Sequence, residues 1–148
     1  MMKEFLIKKM REKGLKLTPQ RLAVIDVLVG ENPHHPSARV IYDAAKRRTK
    51  GLSLSTVYFT LNGLSKHGII KTLEFDKMEN RYEGNVTDHI NLVCKECHGI
   101  TDYRIPIVID SREVTRKTRF RVTDTRLEYY GYCQKCRKKL SRRSTKSI

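Results

Sequence analysis

The chain has 148 residues, a length that fits one domain or two small ones. Hydrophobic residues make up 39% and none is tryptophan, so we expect a modest core. Its 31 lysine and arginine residues against 16 acidic residues give a formal net charge of +15, which favours nucleic acid as partner over an anionic membrane surface. No apolar run approaches the ~20 residues that span a bilayer, and the N-terminus lacks a signal-peptide core, so we expect a cytoplasmic protein.

Residues 1–84 have the pattern of four helices followed by a hairpin. Apolar residues at helical spacing predict a first helix over 3–14, and Thr18 with Pro19 has the residue types that begin a second. Ser37 and Ser53 can cap a third and a fourth helix. The predicted buried residues are Phe5, Leu6, Met10, Leu22, Ile25, Leu28, Val29, Val40, Ile41, Ala44, Ala45, Leu54, Val57, Leu61 and Leu64.

Two short segments, 69–75 and 81–83, have the residue types of strands joined by a polar turn. Helices followed by a small hairpin predict a winged helix-turn-helix, in which the fourth helix enters the major groove of DNA. A generic helical bundle with a hairpin is the alternative. The helix face away from the apolar stripe carries Ser55, Tyr58, Phe59 and Asn62.

The composition changes after the polar residues 84–88, which we interpret as a hinge. Segments 90–93, 100–105 and 120–132 are rich in β-branched and aromatic residues and predict strands, and Pro106 is suited to begin a helix between the last two. Residues 85–148 therefore predict a small α/β domain, and the whole chain an α+β fold. The basic stretch 141–146 is predicted to be disordered.

Two Cys-x-x-Cys motifs, Cys94 with Cys97 and Cys133 with Cys136, contain all four cysteines of the chain. Two such motifs can place four thiolates around one structural zinc ion, which prefers a tetrahedron of soft ligands. Disulfides are the alternative, and a reducing compartment favours zinc.

The segment that leads into the first cysteine motif alternates in character. On a strand, His89 and Asn91 point to one face, whereas Ile90, Leu92 and Cys94 point to the other. We therefore expect this segment to serve two sites, one with polar metal-binding side chains and one with thiolates.

Several motifs resemble, in their order along the chain, those of the ferric uptake regulator family: Leu17–Arg21, His35-Pro36, Ser55–Tyr58, Asp88-His89 and the paired Cys-x-x-Cys motifs. The resemblance covers residues 3–140. It implies a homodimeric, metal-dependent repressor that binds double-stranded operator DNA, with a winged-helix domain, a hinge and an α/β dimerisation domain. It implies neither a membrane partner nor an organic small-molecule substrate.

The resemblance also implies roles for individual residues. The four cysteines match those that bind structural Zn²⁺ in the family. The implied regulatory ligands for Fe²⁺, Mn²⁺ or Zn²⁺ are His35, Glu83, His89, Asn91 and Asp102. The implied DNA-binding residues are Arg21, Ser55, Thr56, Tyr58, Phe59 and Asn62.

Some positions depart from the family pattern. Asn91 stands where the family usually has histidine, and Phe59 and Asn62 replace polar or basic residues of the recognition helix. Asp102 is similar to the peroxide-responsive members, whereas iron-sensing members tend to have glutamate there.

We therefore expect a metal-gated repressor in which peroxide, reacting at bound iron, oxidises His35 or His89. An iron, manganese or zinc uptake regulator without peroxide sensing is the alternative within the family. A zinc-containing architectural DNA binder is another, and Asn91 favours it because an amide is a weak ligand. A metallohydrolase would need a separate general base, for which the sequence has no candidate, so we expect no enzyme.

Overall fold

The computed structural model describes residues 2–30, 34–104 and 110–146. The chain divides into two compact units, Met1–Val86 and Thr87–Ile148. Helices and small sheets occur in both units, which confirms the predicted α+β class. Among the described residues, no helix has both the length and the apolar character that a bilayer crossing requires.

The described part of the first unit consists of four helices and a two-stranded sheet. Thr18, Ser37 and Ser53 each accept a hydrogen bond from the backbone amide three residues later, at 3.1–3.3 Å, so the predicted caps are confirmed. The elements are α1 (Met2–Glu12), α2 (Pro19–Leu28), α3 (Ala38–Ala45), α4 (Leu54–Lys66), β1 (Lys71–Leu73) and β2 (Arg81–Glu83).

The predicted apolar stripe of α4 forms the centre of this unit's core. Val57 and Leu61 are 0% exposed and Leu64 is 2% exposed, and they pack with buried residues of α1, α2 and α3. The antiparallel hairpin β1–β2 contributes Tyr82 to the same core, and its register pairs Lys71 with Glu83. The hairpin after four helices is the predicted winged-helix arrangement.

Three residues predicted to be buried are exposed instead: Phe5, Val40 and Ala44. Helix α1 buries Leu6 and Met10, which lie four residues apart on one face, and Phe5 is turned about 100° from Leu6. Helix α3 buries residues 38, 41 and 45, so positions 40 and 44 face outward. In both helices the buried face is narrower than the apolar pattern predicted.

The second unit contains a three-stranded sheet and two helices among its described residues. The strand order is β4-β3-β5, with β3 antiparallel to β4 and parallel to β5. A parallel pair requires a crossover connection, and α5 lies in that connection. The elements are β3 (Ile90–Cys94), β4 (Ile100–Tyr103), α5 (Ser111–Thr118), β5 (Glu128–Gly131) and α6 (Gln134–Thr145).

Two expectations for this unit are wrong. Only Glu128–Gly131 of the segment 120–132 is a strand, because its register pairs Glu128 with Asn91, near the start of β3, and residues 120–126 have no β3 residue opposite them. The stretch 141–146 is helical through Thr145, where the hydroxyls of Ser144 and Thr145 donate to carbonyls of the preceding turn. The predicted helix start at Pro106 lies outside the described residues.

Candidate metal sites and nucleic-acid interface

The four cysteines meet at one end of the second unit's sheet. Cys94 is the last residue of β3, and Cys133 directly precedes α6, whose first turn contains Cys136. Because β3 and β5 are parallel, the two strands end at the same edge of the sheet. There the Lys95 amide donates to the Gly131 carbonyl at 2.8 Å. Strand pairing therefore brings the two cysteine motifs together.

The spacing of the sulfur atoms fits a metal ion rather than a disulfide. The four Sγ atoms lie within 4.8 Å of one another, and the Cys97 and Cys133 sulfurs are 3.9 Å apart. A zinc tetrahedron with ~2.3 Å bonds has sulfur separations of about 3.8 Å. A disulfide requires about 2.0 Å, and all four cysteines are free thiols. The predicted four-cysteine cluster is present.

Hydrogen bonds shift the pKa values of two of the cysteines in opposite directions. The Cys133 amide donates to Cys94 Sγ at 3.3 Å and, with the amides of Cys97 and Glu96, lowers the pKa of Cys94 to about 6. The hydrogen bond with the Cys133 thiol, together with burial, raises the pKa of Cys136 to about 12. At neutral pH the Cys94 thiolate is therefore ready for a cation, whereas a metal must displace the proton of Cys136.

The first unit contributes His35 and Glu83 to the predicted regulatory site. His35 Nε2 lies 2.9 Å from Glu83 Oε2, and both side chains are 5% exposed. His35 has a backbone φ of +50°, which a non-glycine residue adopts only when its surroundings hold it there. Arg81 donates to the His35 carbonyl at 3.2 Å, and the Tyr82 amide donates to the Pro36 carbonyl at 3.0 Å. Strand β2 thus fixes the strained residue beside Glu83.

The second unit contributes His89, Asn91 and Asp102. His89 Nδ1 lies 2.6 Å from the Thr87 carbonyl, which can only accept, so Nδ1 donates this hydrogen bond and Nε2 is the ring nitrogen available to a metal. That Nε2 faces Asp102 Oδ1 at 3.7 Å. Such an outer hydrogen bond is the usual way in which a protein orients a metal-binding imidazole.

Asn91 lies directly opposite Asp102 in the β3–β4 ladder. Its side chain is 4% exposed, and within the described part of the chain no donor reaches its buried Oδ1. An unsatisfied buried oxygen costs about 1–3 kcal/mol, which a bound cation would relieve. The amide that departs from the family pattern therefore has an atom suited to a cation.

Four of the five predicted regulatory residues are buried and Asp102 is exposed; two of the five lie in the first unit and three in the second. That they bind one ion stays a prediction. Sequence reasoning missed two positioning residues, Arg81 and Thr87. Thr87 acts through its backbone carbonyl, which no side-chain motif can reveal, and Arg81 has the pattern of an ordinary strand residue.

The predicted DNA-contacting residues of α4 lie on its outer face. Tyr58 is 43% exposed and Phe59 is 73% exposed, and Ser55 and Asn62 are exposed beside them. Their contact with DNA stays a prediction. The two remaining residues are half-buried: Thr56 in the α4 cap, and Arg21, whose Nη1 donates to the Lys16 carbonyl at 2.7 Å.

One face of the second unit's sheet is apolar and exposed. Leu92 pairs with Thr101 on β4 and with Tyr129 on β5, so these side chains share that face, to which Tyr103 also belongs. Leu92, Tyr103 and Tyr129 are 37%, 55% and 66% exposed. The opposite face of β3 carries His89 and Asn91, as the alternation predicted.

Known proteins are similar to this chain over most of its length. The peroxide operon regulator of Bacillus subtilis is 34% identical over 131 residues, which cover 88% of this chain and 90% of the relative. A solved ferric uptake regulator of Helicobacter pylori, described as having three functional metal-binding sites, aligns with a TM-score of 0.70 at 28% identity, covering 93% of this chain and 94% of that one. The peroxide-sensing regulator PerR of Streptococcus pyogenes aligns with a TM-score of 0.51 at 29% identity, covering 90% and 92%.

A family model supports the same assignment. The model of the ferric uptake regulator family matches residues 12–130, a span that includes the helices of the first unit from α2 onward, both β3 and β4, and all but the last residue of β5. The resemblance carried by the sequence motifs is confirmed, and the chain belongs to the ferric uptake regulator family.

Proposed function

We propose that this protein is a homodimeric transcriptional repressor whose binding to operator DNA requires a regulatory metal ion and is relieved by peroxide. The observation that carries the proposal is the placement of His35 and Glu83 in one unit and of His89, Asn91 and Asp102 in the other. Membership of a family whose similar members include named peroxide regulators supports it.

The ligand set suits a divalent metal of borderline hardness. Two imidazoles, two carboxylates and one amide oxygen fit iron(II), manganese(II) or zinc(II). The pair His35–Glu83 and the trio around His89 each lack enough ligands for a closed coordination sphere, so one ion bound by both would connect the two units. Asn91 contributes the weakest ligand, because a neutral amide replaces an imidazole.

Strand β2 connects metal binding to DNA binding. This strand carries Glu83 and holds the His35 segment, and that segment leads into the cap of α3. A metal that draws these ligands together selects one arrangement of the units, and in a dimer it fixes the separation of the two α4 helices. The ion therefore acts by population shift: it favours the conformation that fits operator DNA.

Peroxide sensing needs an oxidisable ligand at the metal. Bound iron(II) supplies the reactivity toward hydrogen peroxide; manganese(II) does not. His35 and His89 are the imidazoles of the proposed ligand set. Hydrogen peroxide adds one oxygen atom to a ring carbon and leaves water as the other product, and the oxidised ring binds the metal less well. Asp102, the residue typical of peroxide-responsive members, favours this version over an iron, manganese or zinc uptake regulator.

The second unit serves dimerisation and stability. We assign the cysteine cluster to one structural zinc ion, since its geometry and its thiolate fit that metal. We assign the apolar sheet face of Leu92, Tyr103 and Tyr129 to the contact with a second copy of the chain, because an exposed aromatic face of this kind is typical of interfaces.

The test is operator binding by the zinc-loaded dimer. A duplex selected by the protein from a random pool is titrated, by fluorescence anisotropy, with and without iron(II), manganese(II) or zinc(II). We expect added metal to tighten binding by about 5–150-fold. Peroxide should reverse the effect for the iron form only. DNA binding that is indifferent to all three metals would contradict the proposal and favour an architectural DNA binder.

A further inference from the structure

Phe59 is the most exposed large hydrophobic side chain among the described residues, at 73%. It lies on α4 at about 140–160° around the helix axis from Val57, Leu61 and Leu64, which are buried. The ring therefore points directly away from the core of the first unit. Folding gives no reason for phenylalanine at this position.

The residues that surround Phe59 on the surface of α4 have small side chains. The residues one turn away on either side are Ser55, Thr56, Asn62 and Gly63, all with short side chains or none. A Cβ on Gly63 would meet no atom within 4 Å, so packing within the chain does not require glycine there. Glycine in a helix interior destabilises it by about 0.5–1 kcal/mol relative to alanine. A partner that approaches the helix closely accounts for both features.

The surroundings of the ring are basic. Phe59 borders an open groove of about 360 Å³ that is also lined by Lys16, in the loop before α2, and by Gln20 and Arg21 in the first turn of α2. The Arg21 guanidinium is held in place by the Lys16 carbonyl at 2.7 Å. Cations placed beside an apolar ring fit a duplex, whose phosphates flank its base edges, better than they fit an apolar protein surface.

We propose that Phe59 reads thymine by contact with its C5-methyl group in the major groove, an inference that rests on the proposed DNA-binding function. A phenyl ring has no hydrogen bond to offer, and the thymine methyl is the apolar group that base edges present in the major groove. The minor groove is about 6 Å wide and does not admit a helix, so insertion of the ring between base pairs from that side does not apply. Phe59 is thus a specificity-determining residue.

The experiment uses thymine and uracil, which differ only in this methyl group. The metal-loaded protein selects a duplex from a random pool made with thymidine, and the selected duplex is then resynthesised with deoxyuridine at each thymine in turn. We expect about fourfold weaker binding when a contacted methyl is removed, since burying one such group contributes about 0.8 kcal/mol. The loss should be confined to equivalent positions of the two half-sites.

Variants decide whether Phe59 is responsible. Phe59→Ala and Phe59→Asn should bind the thymine and uracil duplexes equally, whereas Phe59→Leu, which keeps an apolar side chain, should retain part of the preference. Phe120→Ala removes a similarly exposed ring, 66% exposed and outside α4, and should retain all of it. Thermal melting confirms that each variant is folded.

The possible failures are distinct. Equal binding of thymine and uracil duplexes by the wild-type protein, or a preference that survives in Phe59→Ala, would overturn the inference and leave the proposed repressor function standing. Failure of the wild-type protein to enrich any duplex from the pool, with metal present, would overturn the repressor function and with it the inference. Gly63→Ala adds a second check: the helix should become more stable and operator binding weaker.

Discussion

The two groups of metal-binding residues differ in how they are placed. The four cysteines come from two short motifs within one unit, and their sulfurs already have nearly the spacing of a zinc tetrahedron. The nitrogen and oxygen ligands are divided between the two units, one of them on a strained backbone and one of them a weak amide. The placement of the first set favours a closed, permanent site.

The placement of the second set favours a site whose occupancy can change, as the proposed function requires. Arg81 orders the backbone of His35, and the Thr87 carbonyl orders the ring of His89. A complete coordination sphere would nevertheless need ligands from both units. Under the proposed function, thiolates within one unit would bind a metal that stabilises the fold, whereas ligands from both units would bind a metal whose occupancy reports on conditions. The proposal thereby separates a metal for folding from a metal for regulation.

The largest effect is expected at the cysteine cluster. Cys94→Ser should remove zinc and unfold the second unit, because structural zinc contributes about 10–16 kcal/mol of apparent binding free energy coupled to folding. Native mass spectrometry would measure zinc and dimer content. His98→Asn, in the same turn and at a backbone φ of +59° that asparagine tolerates, is the control and should keep both. A zinc-free Cys94→Ser dimer of normal stability would show that the cysteine cluster has no structural role.

Loss of His35 should affect regulation alone. His35→Ala is expected to abolish the metal-stimulated part of DNA binding, about 5–150-fold, because it removes one of the two ligands on the first unit. Zinc content and dimerisation should be unchanged. His34→Ala changes the neighbouring imidazole and should behave as wild type. The division of roles would be contradicted if His35→Ala lost zinc, or if both variants responded to metal equally.

Peroxide treatment should distinguish the two sites chemically. In the iron(II) form we expect one added oxygen atom in a peptide containing His35 or His89, and in the manganese(II) form none, as measured by mass spectrometry. Asp102→Glu should reduce the oxidised fraction. An unoxidised iron form that still responds to metal would make the protein a metal sensor without peroxide chemistry.

The smallest effect is expected at Asn91. Asn91→His replaces a neutral oxygen by an imidazole and should tighten regulatory metal binding by on the order of tenfold, or about 1.4 kcal/mol. Isothermal titration of the zinc-loaded protein would measure it, with Asn62→His on α4 as a control for an added imidazole. Unchanged or weaker affinity in Asn91→His would mean that the Asn91 oxygen does not face the metal.

The sequence predicted what depends on local spacing. The caps at Thr18, Ser37 and Ser53, the stripe of α4 and the alternation along β3 each follow from side-chain geometry over a few residues, and each is present. The approach of the two cysteine motifs followed from zinc chemistry, which demands four thiolates at one point.

The sequence could not supply contacts between distant residues. Strand β3 begins at Ile90 and pairs with Glu128–Gly131, so residues 120–126 have no β3 partner, although their composition is typical of a strand. The left-handed backbone of His35 depends on Arg81, 46 residues away. Residues 141–145 are the last part of a helix that begins at Gln134, directly after Cys133, a continuity that the basic composition of the stretch does not reveal.

The parallel pairing of β3 with β5 has a consequence for the order of folding. The 33 residues between Cys94 and Glu128 must be closed into a loop before the strands can pair, at an entropic cost of about 3 kcal/mol. The helices and the hairpin of the first unit all precede residue 87, so this unit can form while Cys133 and Cys136 are still being synthesised. If the cluster holds the proposed zinc ion, its capture is the step that commits the second unit, and a cell short of zinc would accumulate chains with a folded first unit and no proposed dimerisation surface.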